Sequence, residues 1–202
     1  MAVTVPNDYQ TLLDQVLVRV PGALDPVIVL EVEAVLLDFF DSTNCWQEDL
    51  PVVTAANIVN YFLPMPSMGI VKRLLRFTDA VSCLPIRNTS YSHDGSMVSL
   101  QYAPNMNGNA LATVALIPDI RVPLSVPDWV WTQYRNGLAD GVLARMFSQL
   151  AKPYSSPALA KLHYGQYTAT RSQARYEAMH QNNYGGQSWR FPNFSTARRL
   201  YR

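Results

Sequence analysis

DWVWTQYRNGLADGVLARMFSQLAKPYSSPALAKLHYGQY, residues Asp128 to Tyr167, decides how this chain is built. Val130, Tyr134, Leu138, Val142, Met146 and Leu150 recur every four residues, the spacing that stacks side chains on one face of an α-helix. Just ahead, Ser125-Val126-Pro127-Asp128 reads as a capping box, with Ser125 as N-cap and the acid three residues on. Lys152-Pro153 stops this helix near Leu150, because proline has no N–H to donate. Ser155-Ser156-Pro157 opens another that runs to about His180. Its apolar face (Leu159, Leu162, Tyr167, Ala169) is thin, so this last helix is expected to protrude from the domain rather than form its centre. Gly137 and Gly141 lie four apart on one face of the first helix, each costing about 1 kcal/mol of helix propensity relative to Ala. Close packing against another backbone, within or between subunits, explains both.

Upstream, a short helix is expected near Asp8–Val18, carrying Leu12, Leu13, Val16 and Leu17 and ended by Pro21-Gly22. Asp25-Pro26 opens a longer one, with Asp25 as N-cap and proline at the first helical position. Val29, Val32, Leu36, Phe39 and Phe40 form its stripe, which fades around Ser42–Asn44. From about residue 51 to 120 the period changes to two: Val98, Leu100 and Tyr102 alternate with Met97, Ser99 and Gln101, and a second alternation covers residues 111–117. Asn107-Gly108 between the two runs predicts a hairpin, with Asp94-Gly95 as a further turn. Residues 69–78 fit a strand or a helix equally well. The expected fold is therefore α+β and mainly α-helical: a helical bundle over residues 1–182, a small antiparallel β region inserted at about 51–120, and an extended C-terminal arm at 183–202.

The 202 residues contain 49% apolar and 15% charged types, enough for a core and too apolar for a wholly disordered chain. A net charge of +1 conceals an asymmetry: residues 1–50 hold nine acids and the single base Arg19, leaving the remainder strongly basic. Such a chain presents two oppositely charged faces of one domain, stacks on copies of itself, or sits between unlike partners. Cys45 and Cys83 read as buried thiols of a reducing compartment rather than a disulfide framework. MAVTVPNDYQ lacks the basic-then-apolar order of a signal peptide, and the longest uncharged runs, 50–71 and 95–118, are interrupted by proline and asparagine. A soluble protein with no membrane contact is expected.

Catalytic signatures are missing from the sequence. His93, His163 and His180 have no ligand neighbours at metal-binding spacing, and no phosphate-binding glycine loop or nucleophile elbow occurs. Cys45 follows a helical apolar stripe, which favours a core thiol over a nucleophile. The carboxylate pairs Glu31/Glu33 and Glu48/Asp49 satisfy only the minimal demand of a glycosidase and read better as a solvated face. No catalytic residue, metal or cofactor is expected.

The final segment, NYGGQSWRFPNFSTARRLYR, has no acid and follows a flexible Gly185-Gly186 break. Trp189, Phe191, Phe194 and Tyr201 alternate with Arg190, Arg198, Arg199 and Arg202, the residue types that dominate binding hot spots. Such an arm suits a groove on a protein partner. The alternative is a nucleic-acid-binding module, in which the same aromatics stack on bases and the arginines meet phosphates. The acidic first fifty residues oppose it.

The order of these features resembles the head-to-tail adaptor (connector) proteins of short-tailed bacteriophages. In that family the first long helix ends in a phrase like "EFC-R-T-W", echoed by Phe40, Thr43 and Trp46, while the basic residues and the cysteine placement differ. A later phrase, roughly "Y-AI-GALARL-PGKPW-NP-LA", is echoed by Tyr134, Gly141, Leu143, Ala144, Arg145, Lys152, Pro153, Tyr154, Pro157, Leu159 and Ala160. The resemblance covers most of residues 25–180. It implies a structural virion protein, without enzymatic activity, assembled in the host cytoplasm as a homo-oligomeric ring, usually of twelve copies. The ring would sit at the head–tail interface between the portal protein and a tail nozzle or tail tube protein, and DNA would pass through it without sequence-specific binding. The arm from Trp189 to Arg202 would dock on the portal, and Gly137 and Gly141 would admit close helix approach between copies. Cell-wall hydrolysis has been attributed to some adaptors; no residues here match such an activity.

Overall fold

The computed structural model describes residues 7–81, 86, 89–91, 96–119 and 126–181, and the fold is α+β. Two helices come first, α1 (Asn7–Leu17) and α2 (Asp25–Thr43). Six strands follow: β1 (Gln47–Thr54), β2 (Asn60–Phe62), β3 (Ile70–Asp79), β4 (Thr89–Tyr91), β5 (Met97–Leu100) and β6 (Gly108–Ile117). Two long helices, α3 (Asp128–Ser148) and α4 (Pro157–Gln181), complete the order. The expected arm lies outside the described residues.

The helices form where the periodicity put them, with shifts at their starts. Val130, Tyr134, Leu138, Val142 and Met146 are buried along α3, whereas Leu150 lies past its end and is exposed. The N-cap of α3 is Pro127, in extended conformation and without a side-chain cap, so the proposed capping box does not form around Asp128; Ser125 lies outside the described residues. In α2 the N-cap is Leu24, and Asp25 moves one position into the first turn, where its charge still complements the positive end of the helix dipole. Asn44 ends α2 in the left-handed region (φ 51), donating its N–H to the Phe40 carbonyl, and thereby turns the chain into β1. Asparagine tolerates that conformation better than most residues, which is why the helix stops here without glycine.

The β region begins at Gln47, four residues earlier than expected, and divides into two antiparallel three-stranded sheets. One has the order β1-β6-β3 and the other β2-β5-β4. The two alternating runs therefore do not form a hairpin with each other: β6 pairs with β1 and β3, and β5 with β2 and β4. Asn107 and Gly108 both keep φ outside the left-handed region that a tight hairpin turn requires. Asn107 Oδ1 instead accepts the Ala56 N–H at 2.8 Å, tying the far end of β6 to the end of β1. The Asp94-Gly95 turn lies outside the described residues. The ambiguous stretch at 69–78 is strand β3, with two register shifts against β6. Gly69 starts it at φ +74, and a Cβ there would lie 2.7 Å from both the Ile117 carbonyl and the Trp46 ring.

One continuous core joins helices to sheets. Phe39 packs against Tyr134 of α3, with ring centroids 5.2 Å apart, and Phe40 against Trp46 at 5.4 Å, so the end of α2 is the joint between the two halves. Phe39 and Phe40 are fully buried, each contributing about 1.5–3 kcal/mol of apolar transfer. The last helix does not protrude. α4 lies along α3 and α2, burying Tyr167, Ala174, Ala178 and His163, while Leu159 and Leu162 of its expected stripe are exposed. Of the expected stripe only Tyr167 is buried; the other inward residues are Ala and His, which apolar spacing alone does not pick out.

Candidate functional site

The glycines of α3 lie against side chains of α4 and α2. A Cβ on Gly137 would lie 2.6 Å from Thr170 Cβ, and one on Gly141 would lie 2.8 Å from Val35 Cγ1 and 2.9 Å from the Tyr167 ring. Both faces are therefore occupied by α4 and α2 of the same chain. The close approach expected between copies is made within the chain.

Tyr167, which fills the space beside Gly141, donates its phenol to Asp38 Oδ2 at 2.7 Å, and Arg171 Nη1 donates to the same oxygen at 2.9 Å. Burial is the main cause that pushes the Tyr167 phenol up, with the Asp38 carboxylate adding to it. Arg145 pairs with Glu31, and Lys72 with Asp41, donating also to its backbone carbonyl at 2.7 Å. Three acids of the acidic front thus meet three bases of the basic back inside one chain, and part of the charge asymmetry is neutralised there. His163 Nδ1 lies 2.8 Å from Asp140 Oδ1 under a stacked Phe147 ring, and His180 packs on Tyr176. The two described histidines therefore sit in separate places; His93 lies outside the described residues. Among the described residues no group of His, Cys, Asp and Glu is placed to hold a metal ion.

A different set of residues converges on one cleft. It has a volume of about 630 Å³ and lies between β1, β6, the first turns of α3 and the last turns of α4. Trp46, Trp129 and Tyr134 line it, with Cys45 beside them and Glu48, Asp49 and Glu177 as its acids. Each carboxylate is held by neutral donors. Glu177 accepts from Tyr134 (2.5 Å), Gln133 (2.9 Å) and Gln173 (2.9 Å); Glu48 accepts from the Ser67 N–H and hydroxyl at 3.1 Å; Asp49 accepts from Thr113 at 2.5 Å. The Tyr134 hydrogen bond, followed by that from Gln173, holds the Glu177 carboxyl below its ordinary value. Burial raises the Tyr134 phenol, reinforced by the same carboxylate. Cys45, expected to be a core thiol, is half-buried at the cleft wall with Thr43 Oγ1 3.2 Å from its sulfur, and burial pushes the thiol up to about 11. It is correspondingly a poor nucleophile at neutral pH. Cys83 lies outside the described residues.

Glu48 and Asp49 were visible in the sequence as a carboxylate pair, but Trp129 and Glu177 were not singled out. One signal was available: Glu177 is the only acid between Asp140 and the C-terminus, in a stretch with nine bases. An isolated acid in such a stretch marks a position with a specific partner.

The β region also leaves a row of large apolar side chains in water. Phe62 and Met106 are each 78% exposed and Met65 is 93% exposed, with Val53, Ile58 and Tyr102 also open. Phe62 and Val53 border a shallow groove between β1 and β2. Single exposed apolar residues are ordinary, whereas a group that shares one groove, as Val53, Ile58 and Phe62 do, is the mark of an interaction surface. Among the described residues no helix is long and apolar enough to cross a membrane. The proposed arm residues, Trp189, Arg190, Phe191, Phe194, Arg198, Arg199, Tyr201 and Arg202, lie outside the described residues. No protein-family model matches the chain, and no curated protein is similar to it at a meaningful level.

Proposed function

We propose that this chain is a structural assembly protein, the head-to-tail adaptor of a short-tailed bacteriophage. Copies form a ring, of about twelve by the family resemblance, that joins the portal protein to a tail nozzle or tube and continues the DNA channel. The observation that carries this reading is the exposed apolar row on the β region (Val53, Ile58, Phe62, Met65, Met106), which a single chain leaves to water and a neighbouring copy or tail protein would cover. The resemblance adds to it: Tyr134, Gly141, Leu143 and Ala144 of the shared phrase are buried packing residues of α3, and Lys152–Tyr154 form its turn into α4, so the phrase reads as scaffold rather than catalytic machinery. In this role the aromatic and arginine anchors from Trp189 to Arg202 dock on the portal, and contacts that are modest per copy become strong when repeated around a ring.

The test is the mass of the full chain alone and after mixing with a portal ring, by native mass spectrometry. The expected outcome is a portal complex carrying many copies, abolished by deleting residues 184–202. A chain that ignores portals but binds DNA with an affinity that falls steeply with salt would replace this reading with the nucleic-acid one.

A further inference from the structure

The cleft at the end of α4 is bordered by three carboxylates whose described hydrogen-bond partners carry no charge. Glu31, Asp38 and Asp41 each face an arginine or lysine, whereas among the described residues Glu48, Asp49 and Glu177 meet only neutral donors. Between these anions the wall is aromatic, and Trp129 presents 40% of its surface to the open space. An anionic rim around aromatic faces selects a ligand with both cationic and aromatic groups, because arginine pairs with carboxylates and stacks on indole or phenol rings.

This chain contains such a segment, and it begins at the cleft. α4 ends at Gln181, about one turn beyond Glu177 and Ala178, both of which line the cavity. Residues 182–202 follow, with Arg190, Arg198, Arg199 and Arg202, no acid, and the rings of Trp189, Phe191, Phe194 and Tyr201. Trp189 lies eight positions beyond Gln181, a reach of roughly 26 Å when extended. One helical turn back from Gln181 is only about 6 Å, so even a chain reversed at Gly185-Gly186 brings Trp189 to the cleft. We infer that the cleft is the docking site of the chain's own C-terminal segment, with its aromatic side chains against Trp129 and Tyr134 and its arginines on Glu48, Asp49 and Glu177. The inference concerns this chain alone and holds or fails independently of the portal reading. It gives the segment two competing seats if a portal also takes it: leaving the cleft becomes part of the cost of docking, so the cleft would lower the apparent affinity for the partner.

The experiment uses the full-length protein with Phe191 replaced by photoreactive benzoylphenylalanine, irradiated at low concentration, with cross-linked peptides identified by mass. The expected result is a link inside a single chain to the peptide containing Trp129–Tyr134 or the one containing Cys45–Asp49. Raising the salt concentration should reduce its yield several-fold by screening the rim charges. An Asp49→Lys substitution should do the same at low salt, and Asp49 is exposed, with Thr113 as its hydrogen-bond partner. Links joining two chains would assign the cleft to a second copy's segment and overturn the own-chain occupant. Links confined to other surfaces, or a yield indifferent to salt and to Asp49→Lys, would overturn the docking site altogether.

Discussion

Tyr167 on α4 donates to the Asp38 carboxylate on α2 at 2.7 Å, and Arg171, one helical turn on, shares the same acceptor oxygen. This bond closes the helical half across a sequence separation of 129 residues, beside the buried faces of Gly141 and Val35. Tyr167→Phe keeps the ring and removes only the donor. Stability at neutral pH should fall by about 1.5–3 kcal/mol, the usual worth of a hydrogen bond to a charged acceptor. Arg171→Met should cost less, at most about 1 kcal/mol, because the ion pair is open to water and screened. Urea unfolding at constant m-value measures both; equal losses for the two variants would contradict this ranking.

Three glycines lie within the two long helices, and the same substitution should act on them in opposite directions. Gly137→Ala places a methyl group 2.6 Å from Thr170 Cβ, and Gly141→Ala places one 2.8 Å from Val35 Cγ1. Overpacking at these distances costs about 1–3 kcal/mol beyond the propensity gained. A Cβ on Gly165 of α4 meets nothing within 4 Å, so Gly165→Ala should stabilise the protein by about 0.5–1 kcal/mol through helix propensity alone. Thermal unfolding of the three single variants distinguishes packing glycines from a merely tolerated one.

That contrast also marks what the sequence discloses. The stripe from Val130 to Met146 is legible because burial on a helix repeats every few residues, and all five side chains are buried. The pairing of β6 was not. Asn107-Gly108 carries the composition of a hairpin turn, but β6 lies between β1 and β3, whose paired residues are at least 54 and 31 positions away respectively, and no local signal encodes that choice. α4 departs from its expected place for a related reason: beside the expected Tyr167 its inner face is built from Ala174, Ala178 and His163, and small residues announce close packing only when the opposing helix is known. The cleft was legible only in fragments. Glu48-Asp49, Trp129 and Glu177 come from three elements, and their convergence depends on the end of α4 reaching the first turns of α3.

Alkaline pH should weaken the fold in a way that one substitution isolates. Burial raises the Cys45 thiol from 9.0 to about 11 in the native state. Between those values the unfolded chain loses its thiol proton and the folded chain keeps it, so stability falls as pH rises through that window and is unaffected below it. The full shift corresponds to roughly 3 kcal/mol at most. Cys45→Ala should therefore flatten the decline of the urea midpoint between about pH 9 and pH 11, whatever its effect at neutral pH. The phenols of Tyr134 and Tyr167, also raised chiefly by burial, add their own decline from about pH 10 upward, where the unfolded phenols ionise, so the variant should flatten most clearly between about pH 9 and pH 10 and keep a decline above that. A variant with the same pH slope as the parent would mean that the thiol is ionised equally easily in both states.

The assembly role rests on surface side chains whose removal should leave the fold untouched. Phe62 and Met65 are exposed, so a Phe62→Ser/Met65→Ser double variant should unfold within about 0.5 kcal/mol of the parent. If the apolar row is covered in the assembled ring, the same variant loses several large contacts per interface, and closure around a ring repeats that loss at every copy. The expected outcome in native mass spectrometry is a full-length chain that no longer fills a portal ring to its complete copy number. The 184–202 deletion should act differently, abolishing even the first copy bound. A double variant that still loads portals to the same number would place the contact between copies on another surface, and the exposed β region would then be free to meet the tail.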